Sequence, residues 1–213
     1  MIYFVSDFHF GHEKEFLWKP RGFSSWEEHA EVVIERFNSV VGYGDIVYVL
    51  GDCMLKDDDF GIECLKQLNG VKYLAIGNHD TDARIQRYKD EDIFEDIQYG
   101  YRLKSNKYSI WCQHYPSMMG NYKDKHPTIC IAGHTHSPDK FQNMSNGCYN
   151  AALDAHNCYP ISLDEIITDV RAYRMEHPLV EPLTKSPYCD SCQNILCKAR
   201  YYHNFECPGY QKR

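Results

Sequence analysis

Residues 45–52 read DIVYVLGD, an apolar run that ends in a glycine and an acidic residue. Two other runs have the same form, because residues 2–5 lead into Ser6-Asp7 and residues 71–76 lead into Gly77-Asn78. A short apolar run that stops at polar residues is typical of a buried strand that ends at a functional loop. The sequence therefore predicts three buried strands with polar side chains at their carboxyl ends.

Helical patterns separate these three strands. Residues 24–41 begin with the capping box Ser24-x-x-Glu27 and carry an apolar stripe made of Ala30, Val33, Ile34, Phe37 and Val41. Residues 57–69 have apolar residues at helical spacing, and Gly70 marks their end. The first part of the chain is thus predicted to alternate as β-α-β-α-β.

The following part of the chain is richer in strand signals. After a third predicted helix near residues 81–89, strands are predicted at residues 98–103, 108–113, 128–132 and 147–153. A second capping box, Ser162-x-x-Glu165, predicts a helix that continues to about residue 174. The pattern predicts an α/β protein with a more β-rich second half.

The bulk composition restricts the classes of function. The chain has 213 residues, 43% of them hydrophobic, and contains no apolar run of the roughly 20 residues that a membrane span needs. Its first residues lack the pattern of a signal peptide, so we expect a cytoplasmic protein without a membrane partner. A net charge of -7 argues against a large basic surface for duplex nucleic acid but is compatible with a small phosphorylated substrate.

Five short polar clusters follow predicted strands. They are Asp7-x-His9, Gly51-Asp52, Gly77-Asn78-His79-Asp80, His114 and Gly133-His134-Thr135-His136. Residues i and i+2 of an extended segment point the same way, so Asp7 with His9, and His134 with His136, can each present two ligands to one side. Open α/β sheets bind their ligands at the carboxyl ends of strands, which is where these clusters are predicted to lie.

The chemistry of the clusters indicates a metal site. The clusters combine carboxylate, imidazole and amide groups without thiolate, which suits Mn, Fe, Zn, Co or Ni and does not choose among them. Seven such groups exceed the needs of one ion that must also bind substrate and water. We therefore expect two divalent ions about 3.5 to 4 Å apart, with a carboxylate between them.

The order of the clusters resembles the calcineurin-like metallophosphoesterase superfamily, over residues 7–136. Further residues, including Phe10-Gly11-His12 and Tyr115-Pro116, resemble a small subgroup that is common in bacteria and phages. The resemblance implies a four-layer αββα sandwich with two sheets flanked by helices. The alternation in the first half supports this fold directly, whereas the second sheet rests more on the resemblance.

The resemblance also implies a role for each cluster residue. Asp7, His9 and His136 would hold the first metal, Asn78, His114 and His134 the second, and Asp52 would bridge both. His79 would be catalytic, stabilising the phosphoryl oxygens or protonating the leaving group, while Asp80 would orient its ring. Cys53, which follows Gly51-Asp52, is interpreted as inert packing, because free cysteines are commonly buried.

Substrate contacts are harder to assign from the sequence. His12, Arg21 and His156 are candidates, and Arg21 suits a phosphate because its fork geometry matches paired oxygens. The alternative for each is an ordinary place on the surface or in the core.

The predicted reaction is hydrolysis of a phosphodiester or phosphomonoester by a metal-bridging hydroxide, with a diester slightly preferred. The substrate would be a small phosphorylated molecule, such as a nucleotide. One alternative is a nucleotide-conjugate pyrophosphohydrolase, which would release a mononucleotide without free orthophosphate. Another is a non-catalytic, metal-filled binding scaffold, which the intact cluster residues disfavour.

The C-terminal residues differ in composition from the rest of the chain. We divide the sequence into a phosphoesterase domain, residues 1–180, and a cysteine-rich tail, residues 181–213. The spacing of Cys189, Cys192, Cys197 and Cys207 predicts a structural zinc site, in which His203 could replace one cysteine. Disulfides and unliganded core thiols are the alternatives. Basic and aromatic residues in the tail leave a contact with single-stranded nucleic acid open, beside a lid or packing role.

Overall fold

A computed structural model describes residues 1–105, 107–117, 128–143 and 148–176. The chain divides into two compact units, Met1–Arg171 and Ala172–Arg213, and the second is described only through residue 176. The predicted division into residues 1–180 and 181–213 stays a prediction. The predicted zinc ligands Cys189, Cys192, Cys197 and Cys207, with His203, lie outside the described residues, so the zinc site stays a prediction.

The first sheet has five strands in the order β10-β1-β2-β3-β4. Its parallel strands are β1 (Ile2–Val5), β2 (Ile46–Val49), β3 (Val71–Ala75) and β4 (Asp96–Gln98), and β10 (Ile161–Ser162) pairs antiparallel with β1. The three strands predicted at the start of the chain are confirmed. The strand at Ile161–Ser162 was missed, because two residues give too short a pattern to recognise.

The second sheet has the order β5-β6-β7-β9-β8. Its strands are β5 (Gly100–Ser105), β6 (Tyr108–Gln113), β7 (Thr128–Ala132), β8 (Phe141–Asn143) and β9 (Cys148–Asn150). The central three, β6, β7 and β9, are parallel, and the two edge strands are antiparallel to their neighbours. The strand predicted at residues 98–103 corresponds to β5 but begins two residues later, because the chain leaves the first sheet at Gln98 and enters the second at Gly100.

Five helices are described. They are α1 (Glu15–Trp18), α2 (Trp26–Val40), α3 (Asp58–Lys66), α4 (Asp82–Asp90) and α5 (Leu163–Glu176). The cap of α2 lies one residue later than predicted, since the Ser25 side chain accepts from the Glu28 amide while the Glu28 carboxylate accepts from Ser24. The second capping box is confirmed: the amide of Ser162 donates to the Glu165 carboxylate, and the hydroxyl of Ser162 accepts from the Glu165 amide.

The first sheet is buried on both faces. Alternate strand residues point to opposite sides, so Tyr3 and Val5 join a core with α2, α3 and α4, whereas Phe4 joins a core with the second sheet and α5. Helices, first sheet and second sheet therefore form three successive layers of an α/β fold, as expected. The fourth, helical layer stays a prediction.

Two further features accord with the composition. The six cysteines within the described residues, Cys53 included, are buried free thiols, which fits the interpretation of Cys53 as packing.

Among the described residues, no helix combines the length and the apolar character that crossing a membrane requires.

Candidate metal centre

The five polar clusters meet at one edge of the two sheets. They follow β1, β2 and β3 of the first sheet and β6 and β7 of the second, and the seven predicted ligands come together there. These ligands are Asp7, His9, Asp52, Asn78, His114, His134 and His136. His9 and His136, 127 positions apart in the sequence, become neighbours in this way.

Asp7, His9 and His136 form the first ligand group. Asp7 Oδ1 lies 3.7 Å from the Nε2 atoms of both His9 and His136, and these two nitrogens are 3.1 Å apart. Asp7 is fully buried, and its Oδ1 atom has no hydrogen-bond partner among the described residues. A buried carboxylate oxygen without a partner is costly unless a cation binds it, so the first ligand group fits a divalent metal ion.

Asn78, His114 and His134 form the second ligand group. His114 Nε2 lies 2.8 Å from Asn78 Oδ1 and 3.1 Å from His134 Nδ1. Their donor atoms, oxygen and imidazole nitrogen, are those that borderline divalent ions accept.

Asp52 stands between the two groups. Its Oδ2 atom is 3.6 Å from His9 Nε2 and 3.6 Å from His114 Nε2. The other oxygen, Oδ1, accepts a hydrogen bond from the amide of His79, which fixes the carboxylate. This arrangement could bring one carboxylate into contact with ions on both sides.

The backbone around the ligands is strained. Among the described non-glycine residues with positive φ, five of nine are predicted ligands: Asp7, His9, Asp52, His134 and His136. Aspartate and histidine tolerate this region better than most residues, but it remains sparsely populated. Such strain persists only where the surrounding structure enforces it, and it is concentrated at functional sites.

Hydrogen bonds set the tautomers of two ligands. His114 donates from Nδ1 to the carbonyl oxygen of Leu50 at 2.7 Å, and His136 donates from Nδ1 to Asp154 Oδ2 at 3.1 Å. Each bond places the ring proton on Nδ1, so the lone pair of Nε2 is free and faces the site. Both rings are therefore oriented for metal binding.

Arg21 is not placed to bind substrate, contrary to the prediction. Its side chain is 2% exposed and forms a bidentate ion pair with Asp154, at 3.0 and 2.7 Å. It also donates to the carbonyl oxygen of Asp7 at 2.9 Å. A buried guanidinium needs several acceptors, and these contacts use its fork geometry to hold the site rather than a phosphate.

Asp154 and His29 are residues that the sequence reasoning missed. Burial alone would raise the pKa of Asp154, but hydrogen bonds from His136 and Arg21 lower it below its usual value. Burial, together with the charge of Arg21, lowers the pKa of His29 to about 3. His29 is thus neutral, and its Nε2 atom accepts from Arg21 at 3.0 Å. No short motif marks either residue, and the partner of Asp154 is 133 positions away in the sequence.

Asp80 has a different role from the one implied by the resemblance. Its two oxygens accept from the amides of Asp52, Cys53 and Gly77 and from the hydroxyl of Tyr88, at 2.9 to 3.2 Å. None of these bonds involves the imidazole of His79. Asp80 is buried between the two loops that follow β2 and β3, so it positions the loops and not the ring.

The remaining predicted residues lie at different distances from the ligands. His79 Nε2 is 3.9 Å from Asp52 Oδ2 and its side chain is 39% exposed, so it borders the site and faces solvent. His12 is buried, with its ring 6.3 Å from that of His9. His156 forms a hydrogen bond with the carbonyl oxygen of Asn150 and stacks on Tyr149, which gives it a structural role instead of the substrate contact considered above.

Comparison with known proteins identifies relatives of this chain. An uncharacterized protein of Methanocaldococcus jannaschii, MJ1445, is 32% identical over 172 residues, which cover 78% of this chain and 89% of that protein. The gene 66 protein of Mycobacterium phage L5 is 29% identical over 163 residues, covering 64% of this chain and 77% of the phage protein. No family model matches the chain.

A solved structure shares the fold. AQ665 from Aquifex aeolicus, a protein of unknown function, overlaps with a TM-score of 0.61 at 25% identity, over 79% of this chain and 98% of that one. A phosphoesterase from E. coli, YfcE, overlaps over 71% of this chain and 77% of its own, with 16% identity and a TM-score of 0.42.

Proposed function

This chain belongs to the family of the archaeal protein MJ1445, and we propose that it is a metal-dependent hydrolase of phosphate esters. The observation that carries the proposal is the position of Asp52. One oxygen of this carboxylate lies 3.6 Å from a histidine of each ligand group, at the edge where the carboxyl ends of five strands meet. A site for two ions can stabilise both the attacking and the leaving oxygen of an in-line displacement at phosphorus.

The residues present would hold two divalent ions. Asp7, His9 and His136 would bind one ion, the second ligand group would bind the other, and Asp52 would contact both. When bound, the ions would lower the pKa of a water and neutralise the phosphoryl oxygens of the substrate. The choice among Mn, Fe, Zn, Co and Ni is open, since the donor set suits all of them.

The protein itself would contribute orientation and a proton. Leu50 and Asp154 hold the rings of His114 and His136 with Nε2 toward the site. His79, half-exposed at the border of the site, is positioned to protonate a leaving oxygen or to donate to a phosphoryl oxygen. We propose a phosphodiester as the preferred substrate, with a monoester as the alternative.

The first test is metal content. Elemental analysis of the wild type and of Asp52→Asn would be paired with turnover of bis-p-nitrophenyl phosphate and p-nitrophenyl phosphate after manganese addition. We expect at least two ions per chain in the wild type, and loss of diester turnover in the variant. A wild type that binds no more than one ion and hydrolyses neither ester would contradict the proposal.

A second test separates catalysis from metal binding. His79→Ala should retain the metal content of the wild type and lose about 10²- to 10⁴-fold in kcat, the usual contribution of a positioned acid or base. His156→Ala is the matched control, because that imidazole bonds to Asn150 and contacts no ligand in the described part of the chain. Equal turnover of His79→Ala and wild type would remove His79 from the reaction.

A further inference from the structure

The segment around the β5–β6 hairpin has a charge opposite to that of the whole chain. Residues 99–117 contain Arg102, Lys104 and Lys107 and no aspartate or glutamate, although the chain carries a net charge of -7. The same nineteen residues contain five aromatic side chains, Tyr99, Tyr101, Tyr108, Trp111 and Tyr115. Basic residues interleaved with aromatic ones are typical of surfaces that bind single-stranded nucleic acid.

The pairing of the two strands sorts these side chains by face. Tyr101, Leu103 and Ile110 point into the core between the sheets. The opposite face pairs Arg102 with Trp111 and Lys104 with Ser109, and both cations are exposed to solvent. Within the described residues, neither cation forms an ion pair, so both are available to an anion.

We call the outward side chains of Tyr99, Arg102, Lys104, Trp111 and Gln113 the hairpin face. Three of its residues, Tyr99, Trp111 and Gln113, line a shallow depression of about 500 Å³ together with Gln98 and Gly100. The ring of Tyr99 is 82% exposed at its rim. An exposed tyrosine beside a half-buried tryptophan offers two flat surfaces on which bases can stack.

The hairpin face continues to the candidate metal centre. Gln113 donates from its side chain to the carbonyl oxygen of Tyr115 at 2.8 Å. The half-exposed ring of Tyr115 lies 5.0 Å from the ring of His114 and 4.7 Å from that of His134, both in the second ligand group. From Ser109 to His114 the strand spans about 17 Å at 3.4 Å per residue, so the hairpin face reaches the ligands within one strand length.

We propose that the substrate is a single-stranded nucleic acid that lies along the hairpin face, with one of its phosphodiesters at the metal centre. This inference rests on the proposed function and specifies its substrate. Charge complementarity supports it, since a segment with three basic and no acidic residues would meet a polyanion. Continuity supports it as well, because the face ends at the ligands His114 and His134. A row of base-stacking side chains favours a single strand over a duplex, whose bases are already stacked.

The test compares variants of the hairpin face with matched variants elsewhere. The full chain, freed of metal with EDTA to prevent cleavage, is titrated against a fluorescein-labelled oligothymidylate of 15 nucleotides, and anisotropy is recorded at several salt concentrations. Lys104→Glu is compared with Lys89→Glu on α4, where the lysine is also exposed. Tyr99→Ala is compared with Tyr43→Ala, since Tyr43 is 86% exposed.

We expect Tyr99→Ala to raise the Kd at least about fivefold, the lower end for loss of one base–aromatic stack. Lys104→Glu should weaken binding and reduce the salt dependence of Kd, whereas the two control variants should bind like the wild type. With metal restored, the ratio of kcat/KM on the oligonucleotide to that on bis-p-nitrophenyl phosphate should fall in both hairpin-face variants.

Two results would overturn the inference. One is an oligonucleotide affinity that is equal in hairpin-face and control variants, and the other is a wild type that hydrolyses bis-p-nitrophenyl phosphate but neither binds nor cleaves the oligonucleotide. Both would leave the proposed phosphoesterase function intact. Conversely, a wild type that binds the oligonucleotide through the hairpin face but hydrolyses no ester would support the surface and contradict the proposed function.

Discussion

In the first ligand group, His136 is held by the carboxylate of Asp154, whereas in the second group His114 is held by the carbonyl oxygen of Leu50. The two groups also differ in the residues behind these contacts. Asp154 is in turn paired with the buried guanidinium of Arg21, 133 residues away in the sequence. The loops beside the second group are instead joined by Asp80, which accepts mainly from main-chain amides.

The two designs differ in what a single substitution can damage. A main-chain carbonyl is present whatever the side chain, so the support of His114 does not depend on the identity of residue 50. A buried ion pair is weak evidence for stability but is costly to break, because the remaining charge is left without a partner. The first ligand group should therefore be the more sensitive of the two to mutation of its surroundings.

The largest expected effect is that of Asp154→Ala. The substitution leaves the guanidinium of Arg21, whose side chain is 2% exposed, without its carboxylate partner. We therefore expect a loss of about 3 to 5 kcal/mol in the free energy of unfolding. Urea denaturation of the metal-free protein measures this loss. Elemental analysis should show that one ion of the two is lost, because only the first ligand group loses its support.

Two further variants sharpen this test. Asp59→Ala breaks an ion pair with Arg87 in which Asp59 is 88% exposed, so we expect a stability close to that of the wild type. Arg21→Met combined with Asp154→Leu removes both charges and should cost less than the sum of the two single changes. If Asp154→Ala costs as little as Asp59→Ala, the first group is not held by a buried charge.

A smaller effect is expected from the pH dependence that His29 confers. Its pKa is about 3 in the folded protein, against an ordinary 6.5. Between these values the unfolded chain binds a proton that the folded chain does not, so stability is full above pH 6.5 and falls as the pH decreases. The slope approaches about 1.4 kcal/mol per pH unit within this window.

His29→Gln should flatten that slope, since the amide oxygen of glutamine can still accept from Arg21 but does not titrate. Urea denaturation at pH 4.5 to 6.5, on metal-free protein, measures the difference. An unchanged slope in His29→Gln would show that the imidazole is not kept neutral by burial beside Arg21.

The sequence predicted the edge of the sheet where the clusters meet because position along a strand is a local property. Asp7, Asp52 and Asn78 each follow an apolar run, and parallel strands bring such ends together. The resemblance to the superfamily could be recognised for the same reason, because it rests on short motifs in a fixed order along the chain. What the sequence could not show is which polar residues pair with one another over long separations.

Arg21 and Asp80 illustrate this limit. The sequence predicts that Arg21 contacts the substrate, because nothing near it in the sequence reveals that its guanidinium donates to Asp154. The resemblance implies that Asp80 orients the ring of His79, yet the partners of Asp80 are a tyrosine hydroxyl and amides of loops that only the fold brings near. The strand break at Tyr99 was missed similarly, because two strands of different sheets run together as one pattern of alternation.

The smallest expected effect tests the second ligand group through Tyr88→Phe. The Tyr88 hydroxyl donates to Asp80 Oδ1 at 3.0 Å, and this oxygen also accepts from the Cys53 amide at 3.2 Å. Removal of the hydroxyl therefore leaves the carboxylate satisfied, and the cost should be about 0.5 to 1.5 kcal/mol in urea denaturation. Metal content should not change.

Tyr101→Phe is the matched control, because its hydroxyl donates to the Leu74 carbonyl oxygen at 3.1 Å, a main-chain acceptor remote from Asp80. If the two variants lose similar stability and both retain two ions, the loops of the second group are held by main-chain amides and tolerate loss of a side-chain donor. Loss of an ion in Tyr88→Phe alone would show that this group, like the first, depends on a side chain behind its ligands, and the contrast between the two groups would disappear.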